Sequence, residues 1–301
     1  MEHDGGHVPV MLDEVIEHLS PRPGQVVVDG TAGGGGHASA ILTDLLPGGQ
    51  LILLDRDCGA LERLVARFRR RGNVRFFHAN FCDIDQVVRE AGHEQIDGCL
   101  LDLGVSSLQL AEAVRGFSFD RPARLDMRYD PSQGLTAYEV VNRWPPERLV
   151  EAFQVLGDQP FARRIVRAIV EARPVGQTDE LADLVAGAVP AAWRRKQKIH
   201  PATRVMQSIR IVVNDELGSL ATFLDKIFPL LRPGGRLVVL SFHSGEDRIV
   251  KNRFREAAHD GWVSLPVRRP VRPTPEEVEA NPRSRSTRLR VAQRLPPAGS
   301  A

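Results

Sequence analysis

The densest chemistry in this chain lies in a run of glycines and the acids that follow it. Val26-Val27-Val28-Asp29-Gly30-Thr31-Ala32-Gly33-Gly34-Gly35-Gly36-His37 sets four consecutive glycines just beyond an apolar run. Lacking a Cβ, glycines reach backbone conformations closed to other residues and let a ligand lie against the main chain. A flexible linker has the same composition, but a linker is not wedged between an apolar run and an amphipathic one. Asp55 closes the next apolar run, 25 residues after Gly30. A carboxylate there can accept hydrogen bonds from both hydroxyls of a ribose. The plainer alternative is a surface acid beside Arg56. Asp102 ends a further run in LLDLGVSS and is followed by the polar Ser106, Ser107 and Gln109. No Gly-x-Ser-x-Gly elbow accompanies these serines, so seryl nucleophile chemistry is not indicated. Phe81 could wall an adenine pocket, although a lone phenylalanine more often belongs to a core.

These groups need a scaffold that gathers strand ends. Continuous apolar runs at 26–28, 51–54, 74–77 and 99–101 read as strands covered on both faces. Helical spacing at 38–46 and 59–70 separates them, the pattern of an α/β fold with a parallel, Rossmann-like sheet. Ligands of such sheets bind at the carboxyl ends of the strands, where Asp55 and Asp102 fall. From 117 to 201 the strand runs stop, and helical stretches at 146–156, 161–172 and 180–189 take over. Pro122, Pro131, Gly134, Pro174 and Pro190 punctuate them. An inserted all-helical domain is therefore expected at 113–207, within a sheet domain made of 1–112 and 208–301. One helical stretch is expected at 203–231, and Arg232-Pro-Gly-Gly then leads into a strand at 236–241. A helix at 245–258, a loop across 266–275 and an edge strand at 287–293 complete the reading. The Pro-Gly-Gly turn and the late edge strand favour S-adenosylmethionine as cofactor over a nicotinamide dinucleotide.

At 301 residues the chain can bury a sizeable core. Its 40 basic and 38 acidic residues nearly cancel, but unevenly. Residues 115–210 hold 16 basic and 11 acidic side chains, 262–301 hold 8 and 3, and the remainder is net −8. An acidic body with basic parts suits a polyanionic partner, unless those arginines merely form a solvated face. Trp193-Arg194-Arg195-Lys196-Gln197-Lys198 mixes cations with an aromatic, as phosphate contacts beside a base require. An exposed interhelical loop is the alternative there. The Arg67–Arg71 cluster reads as a helix C-terminus, where cations complement the dipole. No apolar run approaches membrane-spanning length, and the first residues lack the form of a signal peptide. Cys58, Cys82 and Cys99 form no CxxC pair, so neither a disulfide framework nor a metal site is expected, and a cytoplasmic setting fits.

Further blocks narrow the reading. HVPVMLDEV, DGTAGGGGHA, LLDRD, LDLGVSS, RGFSF, LDMR, HPATR, VNDEL, PGGRL, SFHSGEDRIVK and NPRSRS occur in that order. Together they resemble the ribosomal small-subunit methyltransferase H family, also called MraW, over nearly the whole chain. The resemblance implies a class I S-adenosylmethionine-dependent methyltransferase fold with a mostly parallel seven-stranded sheet. It implies N4-methylation of a cytidine in the decoding region, at the P site, of 16S rRNA within the small ribosomal subunit. Cofactor contacts carry over onto Gly35, Gly36, His37, Asp55, Phe81, Asp102 and Gln109. RNA contacts are expected from Trp193, Arg194, Arg195, Lys196 and Lys198, and a homodimer is left open. Two departures stand out: Gly245 replaces a usual leucine, and the Pro/Arg loop after Trp262 is short.

Methyl transfer is an in-line displacement in which alignment does most of the work. Asp102 is the candidate acceptor for the hydrogens of the cytosine amine, without the Pro-Pro-aromatic run of other N4 enzymes. Phe117, Phe119, Tyr129 and Trp144 are candidates to stack on an extruded base. Two other classes compete: a nicotinamide-dependent dehydrogenase on a similar sheet, and a non-catalytic RNA-binding factor that keeps the fold. The intact glycines, Asp55 and Asp102 argue against the second.

Overall fold

A computed structural model describes residues 9–132, 134–197 and 199–297. The chain divides into two compact units, Met1–Gly104 with Leu217–Ala301, and Val105–Glu216.

The first unit opens with α1 (Leu12–Leu19) and then alternates strand and helix: β1 (Val26–Asp29), α2 (Gly36–Leu45), β2 (Gln50–Asp55), α3 (Cys58–Phe68), β3 (Val74–His78), α4 (Ile84–Glu90) and β4 (Ile96–Asp102). The second unit is helical, with α5 (Ser107–Ala111), α6 (Ala137–Arg143), α7 (Pro146–Val155), α8 (Ala162–Ala172), α9 (Thr178–Ala188), α10 (Ala191–Arg194) and α11 (Pro201–Val213). The chain then completes the first unit through α12 (Glu216–Leu230), β5 (Leu231–Ser241), α13 (Ser244–His259), β6 (Val263–Ser264), α14 (Pro275–Ala280) and β7 (Arg288–Arg294).

The seven strands lie in the order β3-β2-β1-β4-β5-β7-β6. β1 to β5 run parallel, and β7 pairs antiparallel with both β5 and β6. The three leucines and the isoleucine of β2, Leu51 to Leu54, are wholly buried because helices cover both sheet faces. One apolar layer packs Ile52, Leu54 and Leu101 against Phe223 and Ile227 of α12, and the other packs Leu51 and Leu53 against Ile41 and Leu45 of α2. The chain runs outward from β1 to β3 and returns to β4 beside β1, so the sheet's direction switches between the carboxyl ends of β1 and β4. Parallel sheets open a ligand crevice at such a point.

The helical unit buries its own core around Phe153, Ile165, Ile169, Leu181 and Ile209. α5 and α6 each start on a capping box, Ser106 with Gln109 and Thr136 with Glu139, each satisfying two otherwise orphaned N–H groups. Its span is wider than the expected 113–207 at both ends. α5 begins at the Ser106 cap, and at the other end Asn214 ties α11 to this unit through the Met127 carbonyl.

Other expectations need amendment. The single helical stretch at 203–231 is two helices, because Asn214 caps α11 and Asp215 adopts a left-handed φ of 46°. The loop across 266–275 gives way to α14 at Pro275, with Thr274 as N-cap. β6 went unread because two residues carry no periodicity.

The turn after β1 is pressed onto β4. Gly30 donates to the Leu100 carbonyl at 2.9 Å. A Cβ on Gly30 would lie 2.5 Å from Leu101 Cδ2, a side chain with no exposure, and 3.4 Å from Phe81 Cβ. Gly30→Ala is therefore expected to destabilise the protein by about 1–3 kcal/mol through overpacking. Urea denaturation measures this, and an unchanged midpoint would show that the contact relaxes at no cost.

Candidate functional site

The glycine turn owes its shape to Gly33 and Gly35, at φ of 50° and 77°. Gly35 also lies where a Cβ would meet Leu64 Cδ2 at 2.8 Å, so α3 packs directly on the turn. Asp55 holds the turn from β2: its Oδ2 accepts from Gly33 N–H at 2.8 Å, and its Oδ1 accepts from Asp57 N–H at 2.8 Å. A carboxylate has about four lone-pair sites, so acceptor capacity remains for a ribose hydroxyl. Burial raises the Asp55 pKa, against the lowering effect of those N–H donors.

Beside the turn, two buried titratable groups, Asp29 and His37, neighbour the half-buried Asp102. Asp29, 2% exposed, ends β1 and accepts from Thr31 N–H at 3.1 Å. Burial pushes its pKa up to about 7, opposed by His37 and by that hydrogen bond. His37 Nε2 donates to the Val10 carbonyl at 3.0 Å. Since a carbonyl only accepts, Nδ1 of the neutral ring is the free acceptor, and it faces Asp102 Oδ2 at 3.5 Å. Burial lowers the His37 pKa, which favours that neutral ring. Asp102 ends β4, and its own N–H donates to Thr31 Oγ1 at 2.6 Å. Burial, with the Glu246 carboxylate adding to it, lifts the Asp102 carboxyl to about 7. Asp102 Oδ1 is buried without a hydrogen-bond partner.

Most of the expected cofactor residues thus converge. Gly35, Gly36, His37, Asp55, Phe81 and Asp102 all belong to the carboxyl edge of the sheet. Phe81 is 9% exposed and packs edge-on against Phe223 at 5.8 Å, so most of its ring serves the core. Gln109 is buried in the helical unit, where its Oε1 caps α5 by accepting from Ser106 N–H. Trp193 packs edge-on against Phe161 at 5.3 Å, while Arg194, Arg195 and Lys196 are exposed; Lys198 lies outside the described residues. Phe117 and Tyr129 stack on each other at 5.4 Å, and Trp144 carries Arg148 over its ring. Phe119 packs on His200 at 5.0 Å. Gly245 sits in the first turn of α13, which His243 and Glu246 secure with a capping box. Asp29 was missed as a titrating group, although an acid closing a run of three valines was the available signal.

A turn of glycines, a β2 acid bound to it and a buried carboxylate oxygen in want of a donor fit an adenosine cofactor bearing a charged amino acid. With an antiparallel seventh strand inserted beside β5, they define a class I S-adenosylmethionine-dependent methyltransferase. Residues 4–295 match the MraW methylase family. A protein of Nitratidesulfovibrio vulgaris named ribosomal RNA small subunit methyltransferase H is 45% identical, over 96% of this chain and 86% of its own length. Proteins of the same name from Syntrophotalea carbinolica and a Cyanothece species are each 47% identical over 96% of this chain, and over 98% and 95% of their own lengths. The chain belongs to the MraW methylase family.

The raised carboxyl groups give a testable pH dependence. Asp29, near 7 when folded, lies well above the ordinary carboxylate value of about 3.9, so the folded state holds the extra proton. Its contribution to stability is complete below about pH 4 and is lost as pH rises through about 7. Asp29→Asn removes this dependence. The melting temperature of the variant should therefore gain on the wild type between about pH 5 and pH 8 in cofactor-free protein. A constant difference across that range would show that Asp29 does not titrate there.

Proposed function

We propose that this enzyme methylates the N4 amine of a cytidine in the decoding region of 16S rRNA, acting on the small ribosomal subunit. The observation that carries the chemistry is Asp102, a carboxylate at the switch point with one buried oxygen lacking a partner. The names of the relatives supply the substrate class. Acting on ribosomal subunits supports a cytoplasmic setting. Among the described residues no helix is long and apolar enough to cross a membrane.

S-adenosylmethionine supplies the methyl group as an electrophilic carbon. Gly35, Gly36, His37, Asp55, Phe81, Asp102 and Gln109 are the residues proposed to hold it. The cytosine amine is a weak nucleophile because its lone pair is shared with the ring. Asp102 can accept a hydrogen bond from that amine and take its proton as the nitrogen–carbon bond forms. A carboxyl near 7 is poised for this, since about half is ionised at neutral pH. No covalent adduct is needed: Cys99 is buried in β4, Cys58 begins α3, and Cys82 lies in the short 3-10 turn after β3. Arg194, Arg195, Lys196 and Lys198 are proposed to bind phosphates from the helical unit, with Trp193 anchoring their segment.

Asp102→Ala, assayed at saturating cofactor, should lower the methylation rate at least about tenfold, or roughly 1.4 kcal/mol. The product from intact small subunits should be N4-methylcytidine by chromatography and fragmentation, and naked rRNA should react more slowly. A C5-methyl product, or a full rate in the variant, would sink this chemistry.

Neutralising Arg194, Arg195 and Lys196 together should weaken rRNA binding and spare cofactor affinity. The slope of log affinity against log salt should become shallower by up to about 0.7–0.9 per lost contact. An unchanged slope would make the cluster an ordinary solvated face.

A further inference from the structure

Six arginines and no acid occupy residues 63–75: Arg63, Arg67, Arg69, Arg70, Arg71 and Arg75. All six are exposed. The helix-dipole explanation accounts for little of this, because the dipole's influence fades beyond the last turn. α3 ends at Phe68 with Arg69 as its C-cap, so Arg70, Arg71 and Arg75 lie past its reach. Arg67, inside the last turn, donates to the Gly34 carbonyl at 2.9 Å rather than to the helix end. Among the described residues, Arg69, Arg70, Arg71 and Arg75 make no side-chain hydrogen bond or ion pair. Arg67, Arg69, Arg70 and Arg71, with Ala66, line one open concavity of about 560 Å³.

Guanidinium groups gathered around one hollow without a carboxylate repel each other, and an external anion relieves that repulsion. We propose that this arginine ridge is a second rRNA-binding surface, on the unit that holds the cofactor, and that it grips the phosphate backbone. A single small phosphate would occupy two or three of these forks, whereas the guanidinium groups from Arg67 to Arg75 match a row of phosphates. A lipid surface fits less well, since Val65, 45% exposed, is the one large apolar side chain exposed on α3. Arg67 ties one end of the ridge to the glycine turn. The inference rests on rRNA being the substrate.

The test compares wild type with Arg69→Gln/Arg70→Gln/Arg71→Gln and with the matching triple lysine variant. Binding to unmethylated small subunits is measured across a salt series, binding to anionic phospholipid vesicles in parallel, and cofactor affinity by calorimetry. The glutamine variant should bind subunits at least about tenfold more weakly near 0.1 M salt, with a slope shallower by about 2–3. The lysine variant should bind nearly as wild type, and all three proteins should share one cofactor affinity. Wild-type slope and affinity in the glutamine variant, equal loss in the lysine variant, or loss confined to vesicles would each overturn the surface. A wild-type protein that methylates subunits while the glutamine variant binds normally sinks the surface alone. A wild type that neither binds nor methylates rRNA sinks the substrate assignment, and the surface with it.

Discussion

The attachment of one turn to its neighbouring strands governs this site. Gly30 N–H binds the Leu100 carbonyl, Thr31 Oγ1 receives the Asp102 N–H, and Asp55 holds the Gly33 N–H. Three short hydrogen bonds thereby register the end of β1 against β4 on one side and β2 on the other. Each neutral bond contributes only about 1 kcal/mol net, and the one to a carboxylate somewhat more. Their value is positional, because a ligand lying on this backbone is placed relative to both acids at once. The cost is borne by the carboxyl groups. Asp29 and Asp102 are brought into a space too dry to ionise freely, which is why both titrate near neutrality.

The helical unit solves a different problem, since it must hold a long irregular segment, 116–132, without a sheet. It does so with buried polar pairs. Asn214 receives the Tyr129 N–H and donates to the Met127 carbonyl, while Arg210 and Tyr129 both bind Glu216. Arg173 adds its own donors to the Val141 and Trp144 carbonyls. Such groups satisfy backbone that no ladder reaches. Phe117 and Tyr129 fill the apolar side of the same segment by stacking on one another. Each aromatic considered as a base-stacking partner is thus packed on a protein neighbour, and an incoming base would have to use an open ring face or edge.

Strands with continuous apolar runs were readable because burial on both faces leaves no alternation to confuse them, and the boundaries at β1, β2 and β3 fell within two residues. The break between α11 and α12 was not readable, because Asn214 and Asp215 interrupt a sequence whose apolar spacing runs on through them. Glycines and strand-end acids announced the cofactor edge, since their spacing is set locally. The tautomer of His37 was hidden, because it depends on Val10, 27 residues away. Gln109 is the contrast, because Ser106-x-x-Gln109 already has the spacing of a capping box, and the structure shows that cap at α5.

The glycine turn is also bounded by parts of the chain made at very different times. Pro9 lies against Gly36, Val10 holds His37, and the Met11 N–H is received by Glu277 of α14 at 2.6 Å. During synthesis, Glu277 emerges about 240 residues after Gly36. A growing chain can therefore lay down the turn and most of the sheet long before the segment that anchors Met11 exists. β7, which inserts beside β5, is later still. The site is consequently complete only once Glu277 and β7 have been made, and a nascent fragment that already carries the glycine turn and the strand-end acids still lacks the clasp that secures them.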